Sequence, residues 1–178
     1  MGMSIGYYHA SKIIVLVNYI YIKNMINSLS EFLVLQGYKK IKLKLTKTNH
    51  FEIKAKINNV KGRFILDTGA SNSCVSFDSE HAFKLKTKKS KVKASGAGAT
   101  DMKTLISIKN NIKIGKTNFK NQSLILFDLS HVNLALENHN CEIVDGIIGA
   151  DILKSGEAVI DYKKKHLYLK FKNKKTVK

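Results

Sequence analysis

Phe64-Ile65-Leu66 runs straight into Asp67-Thr68-Gly69-Ala70-Ser71. An apolar strand that ends in small, turn-forming residues delivers a carboxylate onto a rigid turn, where backbone N–H groups are available to hold it. A carboxylate fixed in this way either exchanges protons with a bound molecule or merely caps the turn, and this string alone leaves both open. A second string, Ile147-Ile148-Gly149-Ala150-Asp151-Ile152-Leu153, follows about eighty residues later. Two β-branched residues and then Gly149 let one strand pass very close to another backbone, because glycine has no side chain to obstruct it.

Other groups with chemical potential fit known patterns less well. His131, His139, Cys141 and Glu142 are close in sequence but match no zinc spacing, and they read as a polar loop. Cys74 has no adjacent base and reads as a small core residue. Ser95-Gly96-Ala97-Gly98 lacks the Lys-Ser/Thr of a phosphate-binding loop.

The elements that must position Asp67 are mostly strands. Ser28-Leu29-Ser30-Glu31 has capping-box spacing and Gly37 is a natural stop, which predicts a helix from Leu29 to Gln36. The period then changes to two. Ile41, Leu43 and Leu45 alternate with lysines, and Phe51, Ile53, Ala55 and Ile57 alternate likewise after a polar turn, so both segments read as half-buried strands. Arg63 to Leu66 is a more continuous apolar strand. Further strands are expected at Cys74 to Phe77, Leu105 to Ile108, Ile112 to Ile114, Ser123 to Phe127, Ala158 to Tyr162 and His166 to Phe171, with a turn at Asn110-Asn111. Ala150 to Lys154, ended by Gly156, reads as the one other helix. Many short strands spaced by polar turns predict an all-β barrel or sandwich.

Composition narrows the class of partner. The 178 residues suit one ordinary domain, and 44% apolar content excludes wholesale disorder. The net charge of +18 is almost all lysine, Arg63 being the only arginine. Readers of bases and phosphates favour the arginine fork, so lysines scattered along the whole chain read as a solvated surface rather than a specific nucleic-acid site. Cys74 and Cys141 cannot build a disulfide framework and read as free thiols. No apolar run approaches the roughly 18 residues that would span a bilayer. Ile13 to Ile22 is nearly all apolar between Lys12 and Lys23, which is the length of a signal-peptide core; translation starting at Met25 and a short strand or helix docked on the body are the alternatives. The expected location is cytoplasmic, with export through this segment as the alternative.

Taken together, Asp67-Thr68-Gly69-Ala70, Ser95-Gly96-Ala97-Gly98 and Ile147-Ile148-Gly149 resemble, in order, the three motifs of the retropepsin-like aspartic proteases. That family includes retroviral proteases and many bacterial single-lobe relatives. The resemblance implies a closed all-β acid-protease barrel with one or two short helices and a flap hairpin. It implies 1–27 as an N-terminal extension, 28–50 as a lead-in helix and first strand, 51–172 as the protease domain and 173–178 as a basic tail. Only one Asp-Thr-Gly is present, so the implied enzyme is a homodimer that pairs Asp67 with its symmetry mate and cuts peptide or protein substrates with no metal or cofactor. Thr68 would bond across the axis, Gly69 and Ala70 would complete the loop, Gly96, Ala97 and Gly98 would tip the flap, and Ile147, Ile148 and Gly149 would support the site. The alternative within the same fold is a catalytically silent, dimeric peptide-binding module.

Overall fold

Alternation along Phe51–Ile57 places Phe51, Ile53, Ala55 and Ile57 on the core and leaves Lys54 exposed, while Glu52 on the opposite face is buried beside Arg63 and Lys44. A computed structural model describes residues 28–90, 94–96 and 99–170, with backbone alone for 94–96 and 99–102. The apolar segment Ile13 to Ile22, the tail 173–178, and Ala97 and Gly98 lie outside the described residues. The chain divides into two units, residues 1–38 and 39–178.

In the first unit the described element is helix α1, Leu29–Leu35. Ser28 caps it by accepting a hydrogen bond from the Glu31 N–H at 3.2 Å. Gly37 ends it in the left-handed region, at φ 87°. Leu33 is buried, whereas Leu29 and Phe32 are largely exposed.

Among the described residues the second unit has thirteen strands. They are β1 (Lys39–Lys42), β2 (Lys44–Leu45), β3 (Phe51–Ile57), β4 (Val60–Leu66), β5 (Cys74–Ser76), β6 (Thr87–Lys89), β7 (Ala94–Gly96), β8 (Ala99–Met102), β9 (Leu105–Ile114), β10 (Thr117–Phe127), β11 (Gly146–Ile148), β12 (Val159–Asp161) and β13 (His166–Leu169). In the main sheet the order β3-β4-β11-β5-β10-β9 closes on itself because β9 pairs again with β3. The result is a six-stranded barrel of the retropepsin-like acid-protease kind, with β2 and β6 added at its margins. Antiparallel strands β1, β13 and β12 form a separate small sheet, and β7 and β8 pair as a hairpin. The barrel interior is filled by side chains such as Ile53, Phe64, Val75, Phe83, Leu126 and Ile148. Closing the sheet removes the unpaired edges that an open sheet would expose.

Three expectations need correction. First, Leu105 to Ile114 is one long strand, not two strands around a turn at Asn110-Asn111. Lys109 alone adopts a left-handed conformation, at φ 62°, and the ladder continues past it. The asparagines cross-link instead of turning. Asn58 donates from Nδ2 to Asn110 Oδ1 at 3.0 Å, and the Asn111 N–H donates to Asn58 Oδ1 at 3.0 Å. Second, the strand expected to bury Ile41, Leu43 and Leu45 divides between two sheets. Leu43 is buried but Leu45 is not, because β2 pairs only with the start of β3. Third, the barrel unit has two helices rather than one: α2, Ser130–Asn138, and α3, Ala150–Ser155. With α1 this makes three short helices among the described residues, one more than expected. The residues read as a polar loop, His131 and His139, therefore stand on or at the end of α2.

Candidate active site

The ladder of the barrel continues one residue past β4. The Asp67 N–H donates to the carbonyl of Ile148 at 3.0 Å, so Asp67 is still in extended register when the chain begins to turn. Its Oδ1 accepts the N–H of Gly69 at 2.8 Å, which fixes one carboxylate oxygen against the backbone of its own loop. Asp67 is half-buried, while Thr68 and Gly69 are exposed on the surface of the single protomer.

The loop is fastened from behind by the second string. Ile147 and Ile148 pair in parallel with Ile65 and Leu66. The Ala150 N–H donates to the Ala70 carbonyl at 2.7 Å, and the Gly149 N–H donates to Ser73 Oγ at 2.9 Å. A Cβ on Gly149 would lie 2.6 Å from the Ala70 oxygen and 2.9 Å from the Asn72 carbonyl, both backbone atoms. Only glycine permits this approach. Gly146 is tighter still, with a Cβ position 2.2 Å from the carbonyl oxygen of Cys74.

Two residues that sequence reasoning did not assign a task complete the support. Ser73 is fully buried, and both its N–H and its hydroxyl donate to Asp151. Asp151, at the start of α3, thus braces the far side of the Asp67 loop. Asp145 is also structural: its carboxylate accepts the Arg63 N–H at 2.8 Å and the Ser79 hydroxyl at 3.4 Å.

Cys74 sits behind the loop, 3% exposed. Burial raises its thiol pKa from 9.0 to about 12, opposed by a hydrogen bond with the Ile147 backbone and reinforced by the charges of Asp151 and Asp67. A thiol this hard to ionise is no nucleophile at neutral pH. The strand that ends in Gly96 is half of the β7–β8 hairpin, with Ala94 opposite Met102 and Gly96 opposite Ala99.

A second, smaller apolar cluster lies outside the barrel. Leu136 of α2 and Val144 pack on Ile65, with Val132, Cys141 and Ile147 against them. Glu142, expected in a polar loop, pairs with Arg63 and Lys44, and those contacts hold its carboxyl below the usual range. Buried Glu52 receives Arg63 at 3.4 Å and Lys44 at 3.5 Å. The spacing of Leu129, Val132 and Leu136 was the available signal for α2. No three His, Cys, Asp or Glu side chains gather as a metal site among the described residues.

A closed barrel with a strand-end Asp-Thr-Gly backed by Ile-Ile-Gly defines the class of retropepsin-like aspartic proteases. The family model described as aspartyl protease matches residues 53–152, more than half of the chain, and the chain belongs to that family. Among solved structures it is similar to a retropepsin-like aspartic protease from Rickettsia conorii, at 23% identity and a TM-score of 0.53, covering 75% of this chain and 92% of that one. It is also similar to the EIAV protease complexed with the inhibitor HBY-793, at 20% identity and a TM-score of 0.47, covering 62% and 90%. A third is the retroviral protease-like domain of Ddi1 from Leishmania major, at 16% identity and a TM-score of 0.45, covering 75% and 100%. No curated protein matches the chain.

Proposed function

We propose that this protein is an aspartic endopeptidase that works as a C2 homodimer, with Asp67 of each protomer as the catalytic pair. The observation that carries the reading is the single Asp-Thr-Gly turn, held at the end of β4 by the Gly69 N–H and lying at the protomer surface. One lobe supplies one carboxylate, and a second copy supplies the other. Two carboxylates in contact cannot both ionise comfortably, so they share one proton. The ionised member takes a proton from a water that attacks the peptide carbonyl, and the protonated member hydrogen-bonds to the carbonyl oxygen. Thr68 is exposed beside Asp67, as a residue that bonds across the two-fold axis would have to be. In this reading the β7–β8 hairpin, which contains Gly96, is the flap that opens over substrate.

The test is hydrolysis of a denatured protein across pH, for the natural chain and for Asp67→Asn. The amide is near-isosteric but cannot act as the base, so activity is expected to vanish while fold and dimer persist. Activity surviving in a clean Asp67→Asn preparation would remove Asp67 from the mechanism. A natural chain that binds peptides but never cuts them would leave the binding module.

A further inference from the structure

One row back from Asp67, four side chains stand abreast on the outside of the barrel. Ile65 pairs with Ile147, Ile147 with Cys74 and Cys74 with Ile125, across β4, β11, β5 and β10. Their sequence neighbours Phe64, Leu66, Val75, Leu124 and Ile148 fill the barrel interior, so these four face outward. Asp67 is two residues beyond Ile65 in the same extended register, which points its carboxylate to the same side.

Three of the four, Ile65, Cys74 and Ile125, are already buried. Leu136 and Val144 pack on Ile65, which is only 5% exposed, while Ile147 keeps part of its surface open. The cover is well anchored. Asn133 of α2 donates from Nδ2 to the Val144 carbonyl at 3.1 Å and accepts the Val144 N–H at 2.9 Å. A peptide carbonyl in contact with Asp67 would lodge the adjacent side chain over Ile65 and Ile147, since two residues of strand span only about 6.6 Å. A bulky side chain placed over Ile65 would compete with Leu136 and Val144, which already pack there.

We propose that helix α2, through Leu136 and Val132, closes the site on this side, so that the substrate residue lodged over Ile65 and Ile147 must be small: glycine, alanine or serine. This rests on the protease reading above, and the experiment separates the two. Two peptidomimetics of one sequence, with a hydroxyethylene group replacing the scissile amide, carry either an alanine or a phenylalanine side chain beside the hydroxyl. Their Kd values are measured by calorimetry on the full chain, on Leu136→Ala and on Val132→Ala, each checked for fold by circular dichroism. The natural chain is expected to bind the alanine compound at least about tenfold more tightly, the scale on which a pocket discriminates single groups. Leu136→Ala is expected to bring the phenylalanine compound to parity or better. Val132→Ala, at a partly buried position, shifts the ratio in the same direction by less and serves alone if Leu136→Ala does not fold. Equal or tighter binding of the phenylalanine compound by the natural chain, an unchanged ratio in the folded variants, or binding of neither compound overturns the proposal. If the natural chain prefers the alanine compound yet cuts neither matched peptide, the wall stands and the protease reading falls.

Discussion

Asp151 and Ser73, 78 residues apart, are joined by three contacts. The Ser73 N–H lies 3.0 Å from each carboxylate oxygen, and the Ser73 hydroxyl donates to Oδ1 at 2.7 Å. The same hydroxyl oxygen accepts the N–H of Gly149 at 2.9 Å, so one serine ties the segment after Asp67 to the segment after β11. Removing the carboxylate leaves a buried N–H and a buried hydroxyl without their acceptor. Asp151→Ala is therefore expected to cost about 2–4 kcal/mol, the range for charge-assisted hydrogen bonds lost with donors left unsatisfied. Denaturant unfolding checks it. A loss under about 0.5 kcal/mol would mean that the brace carries no weight.

Gly149 tests the close approach directly. In Gly149→Ala the new methyl would sit 2.6 Å from the backbone oxygen of Ala70, which is held by the Ala150 N–H and cannot simply swing aside. The expected loss is about 2–3 kcal/mol, as for other overpacked sites. Hydrolysis should fall as well, because the displaced atoms belong to the Asp67 loop. Melting temperature and specific activity of one preparation decide the matter.

Dimerisation should govern activity. If one chain contributes one carboxylate, total activity falls faster than the protein concentration on dilution through the dimer dissociation constant, so specific activity declines. Thr68→Ala should move this transition upward by about tenfold to a hundredfold. In the proposed dimer two symmetric hydrogen bonds of roughly 1 kcal/mol each would be lost, and about 1.4 kcal/mol corresponds to tenfold. Sedimentation run beside the assay gives the answer. A demonstrated monomer with full specific activity would contradict the two-chain site.

Cys74 makes the alkaline limit of stability predictable. Its thiol titrates near 9.0 in the unfolded chain and near 12 when folded, chiefly because burial disfavours the thiolate. Between these values the unfolded state has lost a proton that the folded state keeps, so the stabilisation present below pH 9 declines as pH rises. The slope is about 1.4 kcal/mol per pH unit for one group. Unfolding free energies at pH 8, 9 and 10 should fall less steeply in Cys74→Ala than in the natural chain. In the folded protein a thiol reagent at pH 8 should label the partly exposed Cys141 and spare Cys74.

Local patterns in the sequence were enough for the strands that alternate cleanly, for α1 and α3, and for the all-β barrel class. The apolar residues of Phe51 to Ile57 all fall on one face, and small residues follow Asp67 in the turn after Leu66. The carboxylate candidate and its glycine-bearing partner string were legible for the same reason, since each is a contiguous run. What the tertiary structure alone decided depends on residues far apart in the chain. Asn110 and Asn111 look like a turn until Asn58, more than fifty residues away, supplies the hydrogen bonds that keep β9 straight. Leu45 alternates correctly yet stays exposed, because no element packs over the short β2 there. Asp151 could have been any helix-starting acid, and only the parallel pairing of β4 with β11 brings it to Ser73. Helix α2 turns Val132 and Leu136 inward, and its place comes from the outer face of β4 and β11, where Ile65 and Ile147 needed a cover. Sequence periodicity reports which face of an element is apolar, whereas the partner that covers that face is set by how the barrel closes.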